Sequence, residues 1–594
     1  MVKNTKKKVK LTQEQKAENK KRDNFRKQIE DIFVLSGFQK INTNGKQFLL
    51  GNRQNEIDAC FIYKNIIVIC EDTIRDLKAK EKALEKGESY NRNHKLEKQE
   101  TSEAIKNNKN EFLIFLKGLV PNSEDLLNYK ANELKIFYLY FEYNASNYDE
   151  MTIKRYPDLV FIDTPTLKYF FNMAKSIKAS FKYELFRFFK LSKSDIGKPD
   201  PSGNREIKPI KSSIIYPDSV TGFSNGVRMV SFMMRPQDLI ENCCVLRKDG
   251  WNKNMDLYQR LITPKRIKSI REHVLKNETT FLNNIIVTLP DNIRFFRSTS
   301  NAQVQLDEIN RYENDIEIQI PSDYNSMAII DGQHRVYSYY EDNDSNNTSE
   351  IKMSSLRKEL NLLVTGIIYP KNEYYKDDLN KRKFESDLFV SINKNAKPVD
   401  ADTLIQVQAI MNPSSGEAIS RRVIEILNKD EPFSSMFQLS KVVDAPIKTA
   451  SLIQYALSSL LVAKNNSNTF YHYWLIKNGK ESTFELSSSN DIKNYSQYCA
   501  NCLKEYFKAI KSKFNSAWNK NSKLLKVISL NAFIIALRDT LETVGGPRNY
   551  DFYFKVVSGL KIDFNDPNFN YAGAQYSKFA KHEIIPLFIQ TKDY

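Results

Sequence analysis

The first part of the chain changes from a helical to a strand-like spacing of apolar residues. Apolar side chains recur at helical spacing at Phe25, Ile29, Ile32, Phe33 and Leu35. This spacing predicts an amphipathic helix that ends at Gly37. Residues 47–50, 56–63 and 66–70 then read as short strands, with a tight turn at 64–65. The order helix, strand, strand, strand predicts an α/β layer at the start of the chain.

The rest of the chain alternates between helical and strand-like stretches and then becomes helical. Residues 72–112 are highly charged and predict helix, whereas residues 134–143 and 159–162 predict strands. Residues 164–189 have the apolar density of a helical hairpin. From about residue 403 the pattern is predominantly helical. We therefore predict a mixed α/β (α+β) fold with a helical C-terminal part.

The length of 594 residues predicts more than one domain, since a domain holds about 100 to 200 residues. The best linker is 193–204, where glycines and prolines lie among polar residues. Before residue 23 the chain is rich in lysine and almost free of apolar residues, which is typical of a disordered arm. We predict a basic disordered arm (1–22), an α/β domain (23–192), the linker (193–204), a second domain (205–410) and a helical extension (411–594).

Charge favours a polyanionic partner. Lysine and arginine number 89 against 72 acidic residues, which gives a formal net charge of +17. Nucleic acid is the leading candidate, although a compositional bias towards lysine and asparagine is the alternative. No run of 18 apolar residues and no apolar leader is found, and six cysteines are few for this length. We therefore expect a cytoplasmic protein without a membrane partner.

The pentapeptide Asp331-Gly332-Gln333-His334-Arg335 follows an apolar run and precedes a helix-like stretch. Backbone N–H groups at a helix start attract anions, and arginine can bind two phosphate oxygens at once. The pentapeptide is therefore typical of a phosphate-handling corner. A polar turn that caps a helix is the alternative.

Four blocks in this region resemble the DGQHR-domain family, which includes DndB-like proteins of DNA phosphorothioation systems and is related to the ParB/sulfiredoxin fold. The blocks are the pentapeptide, residues 258–267 with Arg260, residues 281–287, and residues 388–399 with Asn393 and Lys394. They occur in the family's order within residues 227–410. The resemblance implies a ParB-like domain that contacts DNA or a nucleotide such as ATP.

The same resemblance implies roles for the motif residues. Arg335 would bind phosphate, His334 would donate to an oxygen or relay a proton, and Asp331 would hold a metal or orient Arg335. Gln333 would contact a base or water, next to Gly332 in the turn. Arg260, Asn393 and Lys394 are second candidates for phosphate or nucleotide binding. A structural hydrogen bond is the alternative for His334.

Two acidic residues predict a divalent-cation site in the N-terminal domain. Glu71 follows Asp58 by 13 residues, so a hairpin would bring both carboxylates to one edge. Oxygen ligands suit Mg²⁺, which activates water for phosphodiester cleavage. The pattern resembles the PD-(D/E)xK restriction-endonuclease-like fold. That resemblance implies Glu30 as the helix acid and Asp58 and Glu71 as catalytic metal ligands.

The lysine of the PD-(D/E)xK pattern is missing, because position 73 is threonine. Three interpretations remain open. A lysine comes from another element, with Lys64, Lys78 and Lys80 nearest in sequence; or Thr73 is tolerated by a weaker enzyme; or the domain binds DNA without cutting it.

The two resemblances together imply a DNA-binding protein of a DNA-modification or anti-phage defence system, acting with other proteins of that system. In the leading hypothesis a Mg²⁺-dependent nuclease is gated by a central domain that senses DNA or a nucleotide. The alternatives are a non-catalytic DNA-binding regulator or accessory factor, and a nucleotide hydrolase that acts through Asp331, His334 and Arg335.

Overall fold

The structure is a computed structural model of mixed α/β composition. It describes residues 13–43, 45–50, 52–74, 90–120, 126, 128–143, 145, 148–198, 209–245, 262–306, 309, 311–321, 323–394, 405, 409–439, 445–566, 569, 571 and 575–594. Outside this range lie Lys78, Lys80, Arg260 and residues 199–204 of the predicted linker, and only the backbone of Asn393 and Lys394 lies within it. The chain forms two compact units, Met1–Leu246 with Leu261–Lys371, and Arg247–Arg260 with Asn372–Tyr594.

The described part of the first unit contains a five-stranded sheet, an eight-stranded sheet and a two-stranded hairpin, with helices from different parts of the chain. Its helices are α1 (Gln13–Leu35), α2 (Tyr90–Asn107), α3 (Lys109–Leu119), α4 (Glu150–Arg155), α5 (Thr164–Ile177), α6 (Lys182–Phe188), α7 (Asp218–Thr221), α8 (Pro236–Asn242), α9 (Pro264–Asn277), α10 (Gln333–Tyr337) and α11 (Thr348–Glu359). Helix α1 begins within the predicted disordered arm. Residues 13–22 have a high intrinsic helix propensity. They extend a helix that is already held in place by the buried apolar face of residues 25–33. The helix ends before Gly37, which has the left-handed φ of +86°.

The N-terminal sheet has five strands in the order β1-β4-β5-β6-β7. A separate hairpin pairs β2 with β3. The strands are β1 (Gln39–Ile41), β2 (Gln47–Leu50), β3 (Arg53–Glu56), β4 (Ala59–Tyr63), β5 (Ile66–Thr73), β6 (Lys135–Glu142) and β7 (Val160–Ile162). The stretch predicted as one strand at 56–63 is broken at residues 57–58, so Asp58 lies in a bend immediately before β4.

The central strand β5 explains the layering of this sheet. Its residues 66–71 are all buried, as expected of a strand covered on both faces. It pairs antiparallel with β4 and parallel with β6. A parallel pair needs a long crossover connection, and the helices α2 and α3 lie in the stretch between β5 and β6. The charged stretch predicted as helix is therefore the crossover of the sheet.

The second sheet of the first unit has eight strands in the order β10-β14-β11-β15-β9-β8-β13-β12. The strands are β8 (Ile210–Tyr216), β9 (Arg228–Met234), β10 (Cys243–Val245), β11 (Ile285–Thr288), β12 (Arg294–Arg297), β13 (Glu313–Gln319), β14 (Met327–Asp331) and β15 (Leu362–Ile368). Strand β14 lies between β10 and β11 and ends at Asp331, and the short helix α10 starts two residues later. The DGQHR pentapeptide is thus a strand-to-helix turn.

A buried ion network fixes the backbone that follows α10. Glu350 accepts from Arg271 and from Arg357, each at 2.7 Å, and all three residues are buried. The two guanidinium groups also donate to the backbone carbonyls of residues 338–340. Because each guanidinium donates to Glu350 and to two backbone carbonyls, the charges are held inside the unit at a tolerable desolvation cost.

The second unit is mainly helical. Its helices are α12 (Glu373–Lys376), α13 (Asp378–Lys394), α14 (Gly416–Leu427), α15 (Thr449–Leu452), α16 (Ser458–Leu461), α17 (Phe470–Lys477), α18 (Ser489–Lys513), α19 (Val527–Thr540), α20 (Tyr550–Ser558), α21 (Tyr576–Phe579) and α22 (Ile585–Thr591). Two short strands, β16 (Phe437–Gln438) and β17 (Ile447–Lys448), pair in parallel. Cys499 and Cys502 both lie in α18. Among the residues described, no helix has the length and apolar composition needed to cross a membrane.

Loss of the buried carboxylate should unfold the region around α10. We expect Glu350→Ala to cost about 3–5 kcal/mol, because two buried guanidinium groups lose their counter-ion. Urea denaturation followed by circular dichroism, together with hydrogen exchange of peptides covering 327–343, measures this loss. The control is Glu272→Ala, which removes an exposed pair with Lys268 and should cost about 0–1 kcal/mol. Equal effects of the two substitutions would contradict the structural role of the network.

Candidate functional site

The hairpin of β4 and β5 brings Asp58 and Glu71 together. Ala59 pairs with Cys70, so the residues on either side of this pair are neighbours at one edge of the sheet. The backbone N–H of Asp58 donates to Glu71 Oε1 at 3.2 Å, and the backbone N–H of Asp72 donates to Asp58 Oδ2 at 3.2 Å. Three carboxylates, at positions 58, 71 and 72, therefore lie at the carboxyl end of β5.

Glu71 is a fully buried acid with 0% exposure. Its Oε1 accepts from the Tyr138 hydroxyl at 3.1 Å, and its Oε2 lies 2.6 Å from Nζ of Lys98. The Lys98 contact is an ion pair that covers this second oxygen. Glu71 is therefore anchored through one oxygen and faces a cation with the other.

Burial dominates the protonation of this pair. Burial and the charge of Asp58 raise the pKa of Glu71 to about 8, although Lys98 acts in the opposite direction. Burial lowers the pKa of Lys98, but the charge of Glu71 outweighs it and the net shift is upward. Burial therefore opposes the charge on Glu71, and the attraction between the two groups opposes the effect of burial.

Lys98 is the described lysine that contacts Glu71. It lies on α2 in the crossover, and its side chain is only 14% exposed. Thr73 is the last residue of β5, and its carbonyl accepts from the backbone N–H of Tyr143 at 2.8 Å. Lys64 lies in the turn at the opposite end of the hairpin. Of these lysines, Lys98 is therefore the one whose ammonium contacts the carboxylate of Glu71.

Arg26 of α1 covers the other two carboxylates. Its Nη2 lies 2.9 Å from Asp58 Oδ1, and its Nε lies 2.8 Å from Asp72 Oδ2. Burial and the charge of Asp58 raise the pKa of Asp72, while Arg26 acts to lower it. The acid cluster is thus bracketed by two cations, Arg26 on the α1 side and Lys98 on the α2 side.

Glu30 lies in the same cavity but in a separate ion pair. It is one turn after Arg26 on α1, and its carboxylate contacts Lys40 at 2.7 Å and Lys27 at 3.6 Å. The hydrogen bond from Lys40 lowers the pKa of Glu30 despite partial burial. A cavity of about 190 Å³ is lined by residues that include Arg26, Glu30, Lys40, Asp58 and Asp72. The predicted helix acid therefore faces the site without touching Asp58.

Asp58 and Glu71 carry carboxylate oxygens, the ligand type that Mg²⁺ prefers, and Oε2 of Glu71 contacts the Lys98 ammonium at 2.6 Å. No group of three or more His, Cys, Asp or Glu side chains is arranged as a metal site in the part of the chain described. A cation held here would accordingly use two carboxylates and keep several waters, as Mg²⁺ commonly does.

Sequence reasoning missed Lys98, Arg26, Asp72 and Tyr138. A signal for Lys98 exists in the charged helix α2. The partly buried Lys95 and Lys98 lie at helical spacing with the buried Gln99 and Ser102, so these lysines belong to the inward face. Arg26 lies one position after Phe25, whose ring is buried, and the sequence has no feature that distinguishes it from other basic residues of α1.

The DGQHR corner is held by its own internal contacts. Arg335 Nη2 donates to Asp331 Oδ2 at 2.7 Å, which is the geometry for Asp331 to orient Arg335. His334 Nε2 accepts from the backbone N–H of Thr263 at 3.0 Å, a structural bond that fixes the start of α9. Gln333 is buried.

Gly332 makes this corner possible. Its φ is +99°, and a Cβ there would lie 2.6 Å from Ile285 Cδ1 and 3.2 Å from Arg335 Nη2. Any other residue would be strained and would displace the arginine. Of the other predicted binding residues, Arg260 lies outside the described residues, and Asn393 and Lys394 end α13 in the second unit.

Comparison of the chain with protein-family models, curated proteins and solved structures gave no match. The geometry of the two sites is therefore the basis for any functional assignment.

The raised pKa of Glu71 predicts a pH-dependent effect of Glu71→Gln on stability. The pKa of Glu71 is about 8 in the folded protein and 4.5 in the unfolded chain. Its protonated form therefore contributes stability that is fully present below pH 4.5 and is lost as the pH rises through about 8. Glutamine cannot ionise, so the melting temperature of the variant relative to the natural protein should rise by about 3 °C or more between pH 5 and pH 9. Differential scanning calorimetry measures the difference. The pH 5 comparison is the internal control, and a difference that is constant with pH would contradict the burial of an ionisable acid.

Proposed function

We propose that the protein cleaves DNA phosphodiesters with Mg²⁺ at the centre formed by Asp58, Glu71 and Lys98. The observation that carries this proposal is the contact of 2.6 Å between Lys98 Nζ and Glu71 Oε2. This contact puts a buried ammonium beside Glu71, and the ammonium could replace the lysine that the PD-(D/E)xK pattern has at position 73, where this chain has threonine. An active PD-(D/E)xK-like centre needs these three groups together, and the first unit has them at one sheet edge.

Each residue has a distinct role in this proposal. Asp58 and Glu71 would hold Mg²⁺, which polarises a phosphodiester and generates the attacking hydroxide. Lys98 would stabilise the negative charge that develops on the phosphorus-bound oxygens, because its ammonium lies in a water-poor site where such charge stabilisation is strong. Tyr138 would keep the Glu71 carboxyl in place through its hydrogen bond.

DNA is the proposed substrate. The net charge of +17 favours a polyanion, and the resemblance to DGQHR-domain proteins points to DNA modification or phage defence, with proteins of such a system as partners. The DGQHR corner would sense DNA or a nucleotide through Arg335, which Asp331 orients.

A direct physical link supports gating of the nuclease-like centre by the DGQHR corner. Residues 338–343, which we call the junction segment, follow α10 directly. Glu341 accepts from the Tyr183 hydroxyl at 2.9 Å and pairs with Lys182. Asn343 donates to the backbone carbonyl of Val34 on α1 at 2.6 Å. A shift of α10 would therefore reach α1, the helix that carries Arg26.

A non-catalytic DNA-binding regulator is the second candidate. Two observations favour it: Arg26 already neutralises Asp58 and Asp72, and the described residues contain no group of three His, Cys, Asp or Glu side chains arranged to hold a metal. In this function the acids, Arg26 and Lys98 would stabilise the fold, and the basic surface would bind DNA without cutting it.

Plasmid nicking in Mg²⁺ or Mn²⁺ distinguishes the two functions. We expect Lys98→Met and Asp58→Asn to reduce cleavage by about 100-fold or more, because each removes a group that stabilises the transition state. Lys95→Met is the matched control: Lys95 lies on the same helix and pairs with Glu142 at 3.6 Å, so its loss should leave cleavage within a few-fold. Absence of metal-dependent cleavage, on modified and unmodified plasmid and with or without ATP, would favour the regulator.

The DGQHR corner is tested by binding. We expect Arg335→Ala to weaken duplex DNA or ATP binding by about tenfold, the loss of roughly 1.4 kcal/mol, since a charge-assisted contact to phosphate disappears. Fluorescence anisotropy in Ca²⁺ at several salt concentrations measures DNA affinity, and Lys358→Ala, on the exposed part of α11, is the control. ATP hydrolysis that is lost in Arg335→Ala would instead indicate a nucleotide hydrolase. Unchanged binding of both ligands would assign the corner a purely structural role.

A further inference from the structure

Arg26 lies where it competes with a divalent cation. Its guanidinium joins Asp58 Oδ1 at 2.9 Å to Asp72 Oδ2 at 2.8 Å. Asp58 is the residue that the proposed function assigns to the metal. The positive guanidinium makes the electrostatic potential at the carboxylate oxygen less negative, so the oxygen attracts a second cation more weakly. The resting contacts of Arg26 therefore oppose metal binding at this edge of the sheet.

The Arg26 contact is built differently from those of its neighbour Lys27. Lys27 pairs with Glu30 and with Asp31 on its own helix, which are local pairs of small energetic value. Arg26 instead reaches from α1 to the bend before β4 and to β5, where the side chain of Asp72 is only 7% exposed. The arginine itself remains 44% exposed. The carboxylate of Asp72 is thus buried, whereas the guanidinium of Arg26 is exposed enough to move into solvent.

We propose that Arg26 is a latch on the metal centre, released when its guanidinium moves to a phosphodiester of bound DNA. The inference rests on the proposed function, because it takes Asp58 as a metal ligand. Arginine can bind phosphate through two parallel N–H donors, so a DNA phosphate offers the guanidinium a partner equal to the carboxylates it gives up. Release of Arg26 restores the full charge of Asp58 and Asp72 for the cation.

The latch makes metal and DNA binding cooperative. Without DNA, a cation must displace Arg26 from Asp58, and the affinity for metal is low. With DNA, the phosphate draws Arg26 away, and the cation binds carboxylates that no longer have a competing partner. By thermodynamic linkage, the metal must strengthen DNA binding by the same factor. The device would hold back the hydrolytic metal until the substrate is present.

The test measures metal binding without catalysis. Mn²⁺ is titrated into the full-length protein, and free Mn²⁺ is followed by electron paramagnetic resonance. We expect Arg26→Gln to bind Mn²⁺ about tenfold more tightly than the natural protein. Arg26→Lys, which keeps the charge but cannot bridge both acids in the same way, should lie between them. Lys27→Gln removes the same unit charge one residue away and should leave the affinity unchanged.

The second measurement is the affinity for a 20-base-pair duplex in Ca²⁺, from fluorescence anisotropy. We expect Arg26→Gln to bind the duplex several-fold more weakly than Lys27→Gln, since its phosphate contact is lost. Tighter metal binding together with weaker DNA binding is the signature of the latch. A duplex affinity equal to that of Lys27→Gln would overturn the release of Arg26 by phosphate.

The outcomes separate the latch from the proposed function. Equal Mn²⁺ affinity of Arg26→Gln and the natural protein, with binding lost in Asp58→Asn, overturns the latch and leaves the metal centre intact. Binding that Asp58→Asn does not change overturns both. Failure of Arg26→Gln to bind any Mn²⁺, although circular dichroism shows it folded, also overturns both. If Arg26→Gln does not fold, the same criteria apply to Arg26→Lys.

Discussion

A buried carboxylate at the end of the central strand is the constraint on which the N-terminal sheet depends. Glu71 is fully buried in a strand that is covered on both faces. An unpaired charge there would be costly, since burial removes it from water. The protein meets this cost with an ammonium from the crossover helix, a hydroxyl from β6 and a backbone N–H beside Asp58. The crossover cannot shift along the sheet without uncovering the acid.

This constraint links stability and chemistry in the same atoms. Groups that satisfy a buried acid in the resting protein are also the groups that a phosphodiester-cleaving centre needs: a cation near the scissile phosphate and carboxylates for a metal. Perturbed titration of a cleft residue is often a mark of function, although structural ion networks perturb it as well. The raised pKa of Glu71 is expected both for a structural ion network and for a catalytic centre. A measurement of metal binding distinguishes these two cases.

The DGQHR corner follows a similar principle in the second sheet. Glu350 neutralises two buried arginines, and these arginines hold the carbonyls of the junction segment. The junction segment then contacts the helices of the N-terminal region through Glu341 and Asn343. A rigid polar network can transmit a displacement from one site to another when its side chains have two discrete arrangements. Such a network is a switch only when the second arrangement has been demonstrated. The structure provides the connection through which such a switch would act.

Local pattern was sufficient to predict much of this architecture. The apolar face of α1, the termination at Gly37, the β4–β5 hairpin and the strands β6 and β7 follow from periodicity and turn chemistry. Strand β1 escaped prediction because two of its three residues are exposed. Residues 13–22 were expected to be disordered but join α1, because a helix extends readily from a segment that tertiary packing already holds.

The sequence by itself determined that Asp58 and Glu71 are neighbours, because a hairpin with a tight turn sets its own register. It also determined that Gly332 lies in a strand-to-helix turn and that Arg335 lies in the first turn of the helix, because both signals lie within a few residues. Only the tertiary structure decided which cations meet the acids. Arg26 and Lys98 come from helices that are distant in sequence, and Thr73 does not reveal their positions. Long-range packing selects such partners, and the local order of residues does not encode it.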